Sequence, residues 1–322
     1  MRARSAALAF LALPPLMWAS NAVVGRVAVA GDTPLVSPLA LNALRWIAAL
    51  AILAVLVPLF VGPVDRRLRE EIRRGWRVHA MLGALSVASF NALQYAALQT
   101  STAINVTLIA AGGPLFTLVV GWLFFGAQAR RWAWAGAGLS LAGVALVLTG
   151  GDAVGLSRLQ PARGDLLMVA AAIAWALYSW LLRRHRPQLP ALLLLAVQAA
   201  WGVALSLPVV ALEWAAGALV VAADWRSLAV VTWVAIGPSI VAYWCWDRGV
   251  AHAGPLLPAF FANLTPLLAA LLSAALLREL PQPYHALAFA LIVGGIVVSQ
   301  RGTRPEGTTA GVVRRAPPPR RG

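Results

Sequence analysis

The stretch from Val78 to Ala129 contains no Asp, Glu, Lys or Arg, and it limits what this chain can form more than any other feature. A helix crosses the hydrocarbon layer of a bilayer with about 20 apolar residues, so this stretch is too long for one crossing. Thr100, Ser101 and Thr102 make a turn plausible near its middle. The pattern therefore predicts two consecutive membrane-spanning helices.

Composition extends this prediction to the whole chain. Of 322 residues, 61% are hydrophobic and only 11% are charged, whereas about a quarter of a soluble domain is charged. The sequence thus predicts an all-α integral membrane protein with ten transmembrane helices. The first apolar run resembles a signal peptide, but it is long and carries Trp18 and Asn21, so we expect a retained helix. The predicted spans lie at roughly 5–28, 36–61, 77–98, 103–126, 132–150, 165–184, 190–213, 228–248, 256–277 and 284–300.

The arginines give the predicted orientation. All 26 basic residues are arginines, and they cluster in short breaks between apolar runs, so we assign the net charge of +15 to topology rather than to nucleic acid. With a cytoplasmic N-terminus and ten crossings, twenty arginines fall inside and five outside, as the positive-inside rule requires. We therefore expect a multi-pass protein of a bacterial inner (plasma) membrane with both termini cytoplasmic.

An internal repeat divides the chain into halves. Sliding the sequence by 152 positions places Pro114 on Pro266, Leu139 on Leu291 and Gly143 on Gly295. Five spans per half is an odd number, so the second half would enter the membrane from the opposite face, an arrangement typical of secondary transporters. The predicted organisation is a first repeat at 1–151, a second repeat at 152–301 and a disordered, basic cytoplasmic tail at 302–322.

The order, spacing and doubling of these segments resemble the EamA family of the drug/metabolite transporter superfamily. The resemblance is carried by WASNAVVGRVAV, LNALRWIAALAIL and the block Gln94–Gly151 in the first half, and by AIAWALYSWLL, FFANLTPLLAALLSAALLREL and LIVGGIVVSQR in the second. It implies ten helices, cytoplasmic ends, and movement of metabolites or drugs, often outward. This chain departs from the family's usual pattern at one place. The family usually carries Gly-Glu after the fourth helix of each half, whereas here the second half has Arg278-Glu279 and the first has Gly126-Ala127.

Motifs of catalysis and cofactor binding are missing from the sequence. It has no phosphate-binding GxxxxGK[ST], no HExxH and only one cysteine, Cys245, so we expect neither an enzyme nor a metal or other cofactor. Three acids fall at predicted helix ends and not at the middle of a span, namely Glu213, Asp247 and Glu279. We therefore expect the substrate site to be largely uncharged. Four histidines lie near membrane boundaries and are expected to be hydrated; they are His79, His185, His252 and His285.

Polar and aromatic side chains mark one face of several predicted helices. An amide in lipid is costly unless it is paired, so these faces should point inward. They could serve hydrogen bonding between helices or line a substrate cavity, and their spread over six helices favours the cavity, in agreement with the family resemblance. The predicted substrate-binding residues are Trp18, Asn21, Asn91, Gln94, Tyr95, Asn105, Trp175, Tyr178, Tyr243, Trp246 and Asn263.

Two prolines and one arginine have special positions. Pro114 and Pro266 would kink their helices, either as packing features or as hinges, and their duplication favours hinges. Arg45 lies within a predicted span, where it would snorkel outward or pair inside the bundle. The resemblance favours a structural lock, and we assign a structural role to Glu279 as well.

The resulting hypothesis is a secondary transporter, a permease or exporter, that works by alternating access as a monomer or homodimer. Its substrates would be small neutral or zwitterionic metabolites, amino acids or drugs. The alternative is a non-transporting membrane scaffold or an intramembrane enzyme. A scaffold would need no polar face on six helices, and an enzyme would need a convergent His, Asp or Ser set.

Overall fold

A computed structural model describes residues 2–151, 162–253 and 261–299 of the chain, with side chains described from residue 10 onward except at 247 and 249–253. The described residues form helices joined by short connections. The predicted tail, 302–322, and part of the ninth predicted span lie outside the described residues. The helices are α1 (Arg2–Val29), α2 (Pro38–Phe60), α3 (Arg66–Arg74), α4 (Trp76–Thr100), α5 (Ala103–Ala111), α6 (Gly113–Phe125), α7 (Arg131–Leu148), α8 (Arg163–His185), α9 (Ala191–Ala215), α10 (from Trp225 to Ala253), α11 (Leu264–Leu276) and α12 (Pro283–Ser299).

These helices make the chain a multi-pass membrane protein. Six of them, α2, α4, α7, α8, α9 and α10, are long and apolar enough to cross a bilayer, and the pair α5 and α6 adds a seventh crossing if it forms one bent span. Two shorter apolar helices, α11 and α12, follow. A helix lies at each of the ten predicted positions, which confirms the all-helical class among the described residues. Ten crossings in two inverted repeats stay a prediction.

Both predicted hinge prolines lie in the first turn of a helix. α5 ends at Ala111, the axis turns by 47°, and Pro114 follows as the second residue of α6. Pro266 holds the third position of α11. Proline is tolerated in a first turn because the backbone N–H that it lacks would have no partner there. Each proline therefore starts a helix, and its role as a hinge stays a prediction.

The last helix of each half packs against the other. α7 and α12 make the most extensive helix–helix contact of the bundle, and their backbones meet at Gly136 and Gly295, where a Cβ added to either residue would overlap the carbonyl oxygen of the other. Ser140 Oγ donates a hydrogen bond of 3.4 Å to the carbonyl of Ile292, 152 positions later. Positions that the sequence repeat equates are thus neighbours in space.

A second irregularity recurs at the repeat distance. α4 contains a π-helical segment at Ala84–Phe90, and α10 contains one at Gly237–Val241. A shift of 152 positions carries the second segment onto the middle of the first. Single π-helical turns are frequently found at functional sites, since they rotate the side chains that follow them.

The helix connections gather at two ends of the bundle. One end, which we call the Arg26 end, holds the links after α1, α4, α7, α9 and α11, and the opposite Arg66 end carries α3. At the Arg26 end the α1–α2 and α9–α10 links pair through a β-bridge between Val36 and Val221. Ser37 N donates to Val220 O at 2.8 Å, and Ala222 N donates to Leu35 O at 2.7 Å. These bonds join the two halves at this end.

Candidate functional site

Arg45 lies at the centre of a polar cluster inside the bundle. Its side chain comes from the apolar helix α2, and the residue is only 3% exposed. The guanidinium donates hydrogen bonds to helices α1, α4 and α10. Its partners are Ser239 Oγ at 2.6 Å, Asn91 Oδ1 at 2.9 Å, Tyr95 Oη at 2.9 Å and Asn21 Oδ1 at 3.4 Å. Arg45 therefore pairs inside the bundle and does not snorkel outward.

Two of these partners lie at the π-helical segments: Asn91 directly follows the first segment, and Ser239 lies within the second. Asn91 Nδ2 donates to Ser86 O at 2.8 Å, and Ser239 Oγ donates to Val234 O at 2.7 Å. In both cases the acceptor lies five residues earlier, which is the spacing of a π-helical turn. Each of these two polar side chains thus bonds its own helix and accepts a hydrogen bond from Arg45. In this way Arg45 connects the two repeat-related segments.

The amides and phenol around Arg45 also bond one another. Tyr95, which is fully buried, donates from its hydroxyl to Asn21 Oδ1 at 2.8 Å. Asn21 Nδ2 donates in turn to Gln94 Oε1 at 3.3 Å. We call Arg45, Asn21, Asn91, Gln94, Tyr95 and Ser239 the Arg45 cluster. Four of its members are among the predicted substrate-binding residues.

An aromatic group lies one helical turn from the Arg45 cluster. Trp18 precedes Asn21 on α1, and Tyr243 follows Ser239 on α10. The ring of Trp18 meets that of Tyr243 edge to face at 6.3 Å and that of Trp246 at 5.3 Å, between centroids. Both helices place these rings on the Arg66 side of Arg45, because α1 and α10 run in opposite directions between the two ends.

A second polar cluster, which we call the Gln198 cluster, lies around Gln198 and includes Tyr178, Trp175 and Ser86. Gln198 on α9 accepts hydrogen bonds from Tyr178 Oη at 3.3 Å and from Ser86 Oγ at 3.5 Å. The Trp175 ring packs against Tyr178 at 4.9 Å and Phe90 at 5.0 Å. Trp175 and Tyr178 follow Trp18 and Asn21 by 157 positions each, and Gln198 follows Arg45 by 153. The sequence prediction missed Gln198, although a buried amide in an apolar run was the available signal.

Two predicted substrate residues lie apart from Arg45. Asn105 is at the Arg26 end, where its Oδ1 is 3.0 Å from His285 Nε2, while His285 Nδ1 accepts a hydrogen bond from Gln282 N at 2.7 Å. Ser101 donates to the nearby buried Asp165. Asn263 is half-buried and directly precedes α11. The structure therefore brings nine of the eleven predicted residues to the Arg45 cluster, the adjacent aromatic group and the Gln198 cluster.

Two sequence-based expectations need correction. His79 and His285 are buried, not hydrated, with 1% and 7% exposure, because neighbouring helices cover them. Asp165, an acid that the sequence analysis did not single out, is also buried, with 3% exposure at the beginning of α8. The expectation of an uncharged site also fails, because Arg45 is surrounded by the predicted substrate residues. This could not be predicted because it depends on tertiary packing. The sequence places Arg45 within a span, but only the structure shows which helices its side chain contacts.

A cavity of about 680 Å³ opens elsewhere, between α5, α11 and α12. Its walls are almost entirely apolar, including Leu108, Pro266 and Phe289, and none of the Arg45 cluster lines it. Specific recognition requires a few convergent polar groups, so we place the candidate site at Arg45 and not in this cavity. In the part of the chain that the structure describes, no group of three His, Cys, Asp or Glu residues is arranged to hold a metal ion.

A multi-pass helical bundle with polar groups of several helices gathered in its interior is typical of membrane transporters. The model of the EamA-like transporter family matches residues 5–149 and 162–300, so this chain belongs to that family. Like its named relatives, the family consists of transporters rather than enzymes.

Two relatives and one solved structure are similar over most of the chain. The uncharacterized transporter YyaM of Bacillus subtilis is 23% identical over 72% of this chain and 75% of its own length. An uncharacterized transporter of Archaeoglobus fulgidus is 25% identical over 70% of this chain and 76% of its own. A crystal structure superimposes with a TM-score of 0.60 and 26% identity, covering 92% of this chain and 97% of that one.

Proposed function

We propose that this protein is a secondary transporter that moves small metabolites, amino acids or drugs across the plasma membrane by alternating access. Residues 1–151 and 152–301 would form two repeats of five helices in opposite orientations, with both termini in the cytoplasm. The substrate would bind between them, at the Arg45 cluster and its aromatic neighbours. The protein would work as a monomer or homodimer.

One observation carries the proposal: Arg45 hydrogen-bonds Asn91, which directly follows the π-helical segment of α4, and Ser239, which lies within that of α10. These segments belong to different halves of the chain. A movement of one half against the other must therefore change the geometry at Arg45. A binding site that is formed by both halves and altered by their relative motion is what alternating access requires.

The contacts at the Arg26 end support a closed state on that side. Arg26 Nε and Glu279 Oε1 form an ion pair at 3.2 Å that links α1 to the residues after α11. Arg26 Nη1 also donates to the carbonyls of Leu98 at 2.6 Å and Gln99 at 2.9 Å. Together with the Val36–Val221 bridge, these bonds would have to break for this end to open.

The test combines metabolite profiling with two variants. A deletion strain and an overexpressing strain are compared for metabolites whose intracellular and extracellular levels change in opposite directions, and transport of these compounds is then measured in vesicles. Tyr243→Ala and Gln94→Ala should reduce transport at unchanged membrane abundance. Gln99→Ala on the same helix and Trp214→Ala, both at exposed positions, are the matched controls. Normal transport by both site variants would overturn the site assignment.

A further inference from the structure

Arg45 is a buried cation without an anionic partner among the described residues. All four of its hydrogen-bond acceptors are neutral oxygens of Ser, Asn and Tyr side chains. The ion pairs in the described part of the chain involve Arg26, Arg66 and Arg74, which are more exposed. Arg45 differs from these arginines in both burial and partners.

Such a charge is expensive to bury. Removing a single ion from water costs several kcal/mol even after relaxation, and neutral dipoles recover only part of it. A protein that needed only a crosslink between helices could use an uncharged side chain, as the related position in the second half does with Gln198. The positive charge of Arg45 therefore calls for an explanation beyond helix packing.

One side of the guanidinium remains available. Nε bonds Ser239 and Nη1 bonds three oxygens, whereas Nη2 has no hydrogen-bond partner among the described residues. Nη2 is not completely enclosed by the surrounding side chains. Its two N–H groups are therefore the donors of Arg45 that remain for a ligand.

The surroundings of Arg45 define the rest of the ligand. The guanidinium carbon lies 5.2 Å from the Trp46 ring centroid and 5.8 Å from that of Tyr95. The rings of Trp18 and Tyr243 lie one helical turn away, about 5 Å along the helix axes. A molecule with an anionic end and a flat or apolar body would complement these groups.

We propose that Arg45 Nη2 binds the carboxylate of the transported molecule, so that the substrates are small carboxylates, including zwitterions, with an apolar or aromatic body. This inference rests on the proposed transport function and narrows its substrate class. A carboxylate oxygen accepts strong, charge-assisted hydrogen bonds from a guanidinium. It would also supply the negative charge that the described residues around Arg45 do not provide.

The experiment compares acids with their neutral amides on the purified full-length protein in detergent. The probe pairs are benzoate and benzamide, phenylacetate and phenylacetamide, and L-phenylalanine and L-phenylalaninamide, with binding followed by tryptophan fluorescence and by the melting temperature. At least one acid should bind the wild type tenfold or more tightly than its amide. This comparison decides the proposal without any variant, because equal binding within every pair, or no binding by any acid, overturns it.

Variants then assign the effect to Arg45. Arg45→Gln should abolish the preference, so that acid and amide bind with equal affinity, and Arg45→Lys, which keeps the charge, should retain part of it. Arg66→Gln, at an exposed arginine, should behave as wild type. A preference for the acid that persists in both Arg45 variants would contradict the assignment. Transport of profiled metabolites without any preference for acids would overturn this inference alone and leave the transporter proposal standing.

Discussion

The hydroxyl of Ser140 and the carbonyl of Ile292, 152 positions apart, form a hydrogen bond of 3.4 Å across the α7–α12 interface. The sequence repeat equates these two residues, so an approximate twofold axis relating the halves would pass close to this bond. The neighbouring contacts fit the same axis. Gly136 meets Gly295. The repeat equates Gly136 with Ala288 and Gly295 with Gly143, and Ala288 and Gly143 are also in contact.

Substitution of Gly295 by alanine should destabilise the protein. A methyl group there would overlap the backbone of Gly136 and the Ser140 hydroxyl, and overpacking of this kind costs about 1–3 kcal/mol. Gly294→Ala is the matched control, because an added Cβ at Gly294 meets nothing within 4 Å. Thermal unfolding in detergent should show a lower melting temperature for Gly295→Ala only. Equal melting temperatures for the two variants would contradict this close approach of α7 and α12.

Much of the helical organisation could be predicted from the sequence. Apolar runs between arginine-rich breaks gave a helix at each expected position, because the period and length of a membrane helix depend mainly on local composition. The break near Pro114 was also predictable, since proline cannot occupy a helix interior without loss of a hydrogen bond. The π-helical segments were not, because their register depends on which helices pack against them.

Most residues of the candidate site could be predicted from the sequence, but the central position of Arg45 among them could not. Asn21, Asn91, Gln94 and Tyr95 are conspicuous as polar residues in apolar runs. That all four surround Arg45, and that Gln198 belongs to a second cluster, depends on contacts between residues far apart in the chain. His285 illustrates the same limit: its position near a boundary suggested hydration, whereas packing against Asn105 buries it.

Removal of the Ser239 hydroxyl should weaken the structure around Arg45. Ser239→Ala deprives Arg45 Nε of its acceptor at 2.6 Å, and a buried donor left without a partner costs about 1–3 kcal/mol. Ser273→Ala is the control, because the buried Ser273 hydroxyl has no hydrogen-bond partner among the described residues and its removal should be nearly neutral. The measurement is unfolding in detergent together with vesicle transport. A Ser239→Ala protein as stable and active as the Ser273→Ala protein would argue against a role for this bond.

The ion pair between Arg26 and Glu279 should contribute less than the other bonds of Arg26. Both side chains are about a quarter exposed, and partly exposed ion pairs are typically worth about 0.2–1 kcal/mol. Arg26 additionally donates to the carbonyls of Leu98 and Gln99, which close the end of α4. We therefore expect Arg26→Gln to lower stability more than Glu279→Gln.

The charge exchange Arg26→Glu with Glu279→Arg separates the two contributions of Arg26. It restores opposite charges but not the donors to the α4 carbonyls, so stability should recover only partly. Unfolding of the two single variants and the double exchange, compared as a mutant cycle, provides the measurement. Complete recovery in the double exchange would show that the ion pair alone matters.

Replacement of Pro114 should change transport more than stability. The residue occupies the first turn of α6, beside the 47° bend, and alanine there would permit α5 and α6 to straighten into one helix. Pro114→Ala should therefore slow transport at similar melting temperature if the bend moves during the cycle. Pro208→Ala, inside the unbroken helix α9, serves as the control. Unaltered transport by Pro114→Ala would favour a static packing kink over a hinge.

Cysteine labelling should establish the orientation of both halves. Cys245 is buried and is the only cysteine, so a Cys245→Ala background permits single cysteines at the exposed residues Asp32, Arg67, Gln188 and Ala223. The arginine distribution predicts that an impermeant maleimide labels positions 32 and 223 on intact cells, and positions 67 and 188 only after permeabilisation. The Val36–Val221 bridge independently requires positions 32 and 223 to share one side. Labelling of 32 and 223 from opposite sides would contradict the structure, whereas a joint reversal of all four would invert only the predicted topology.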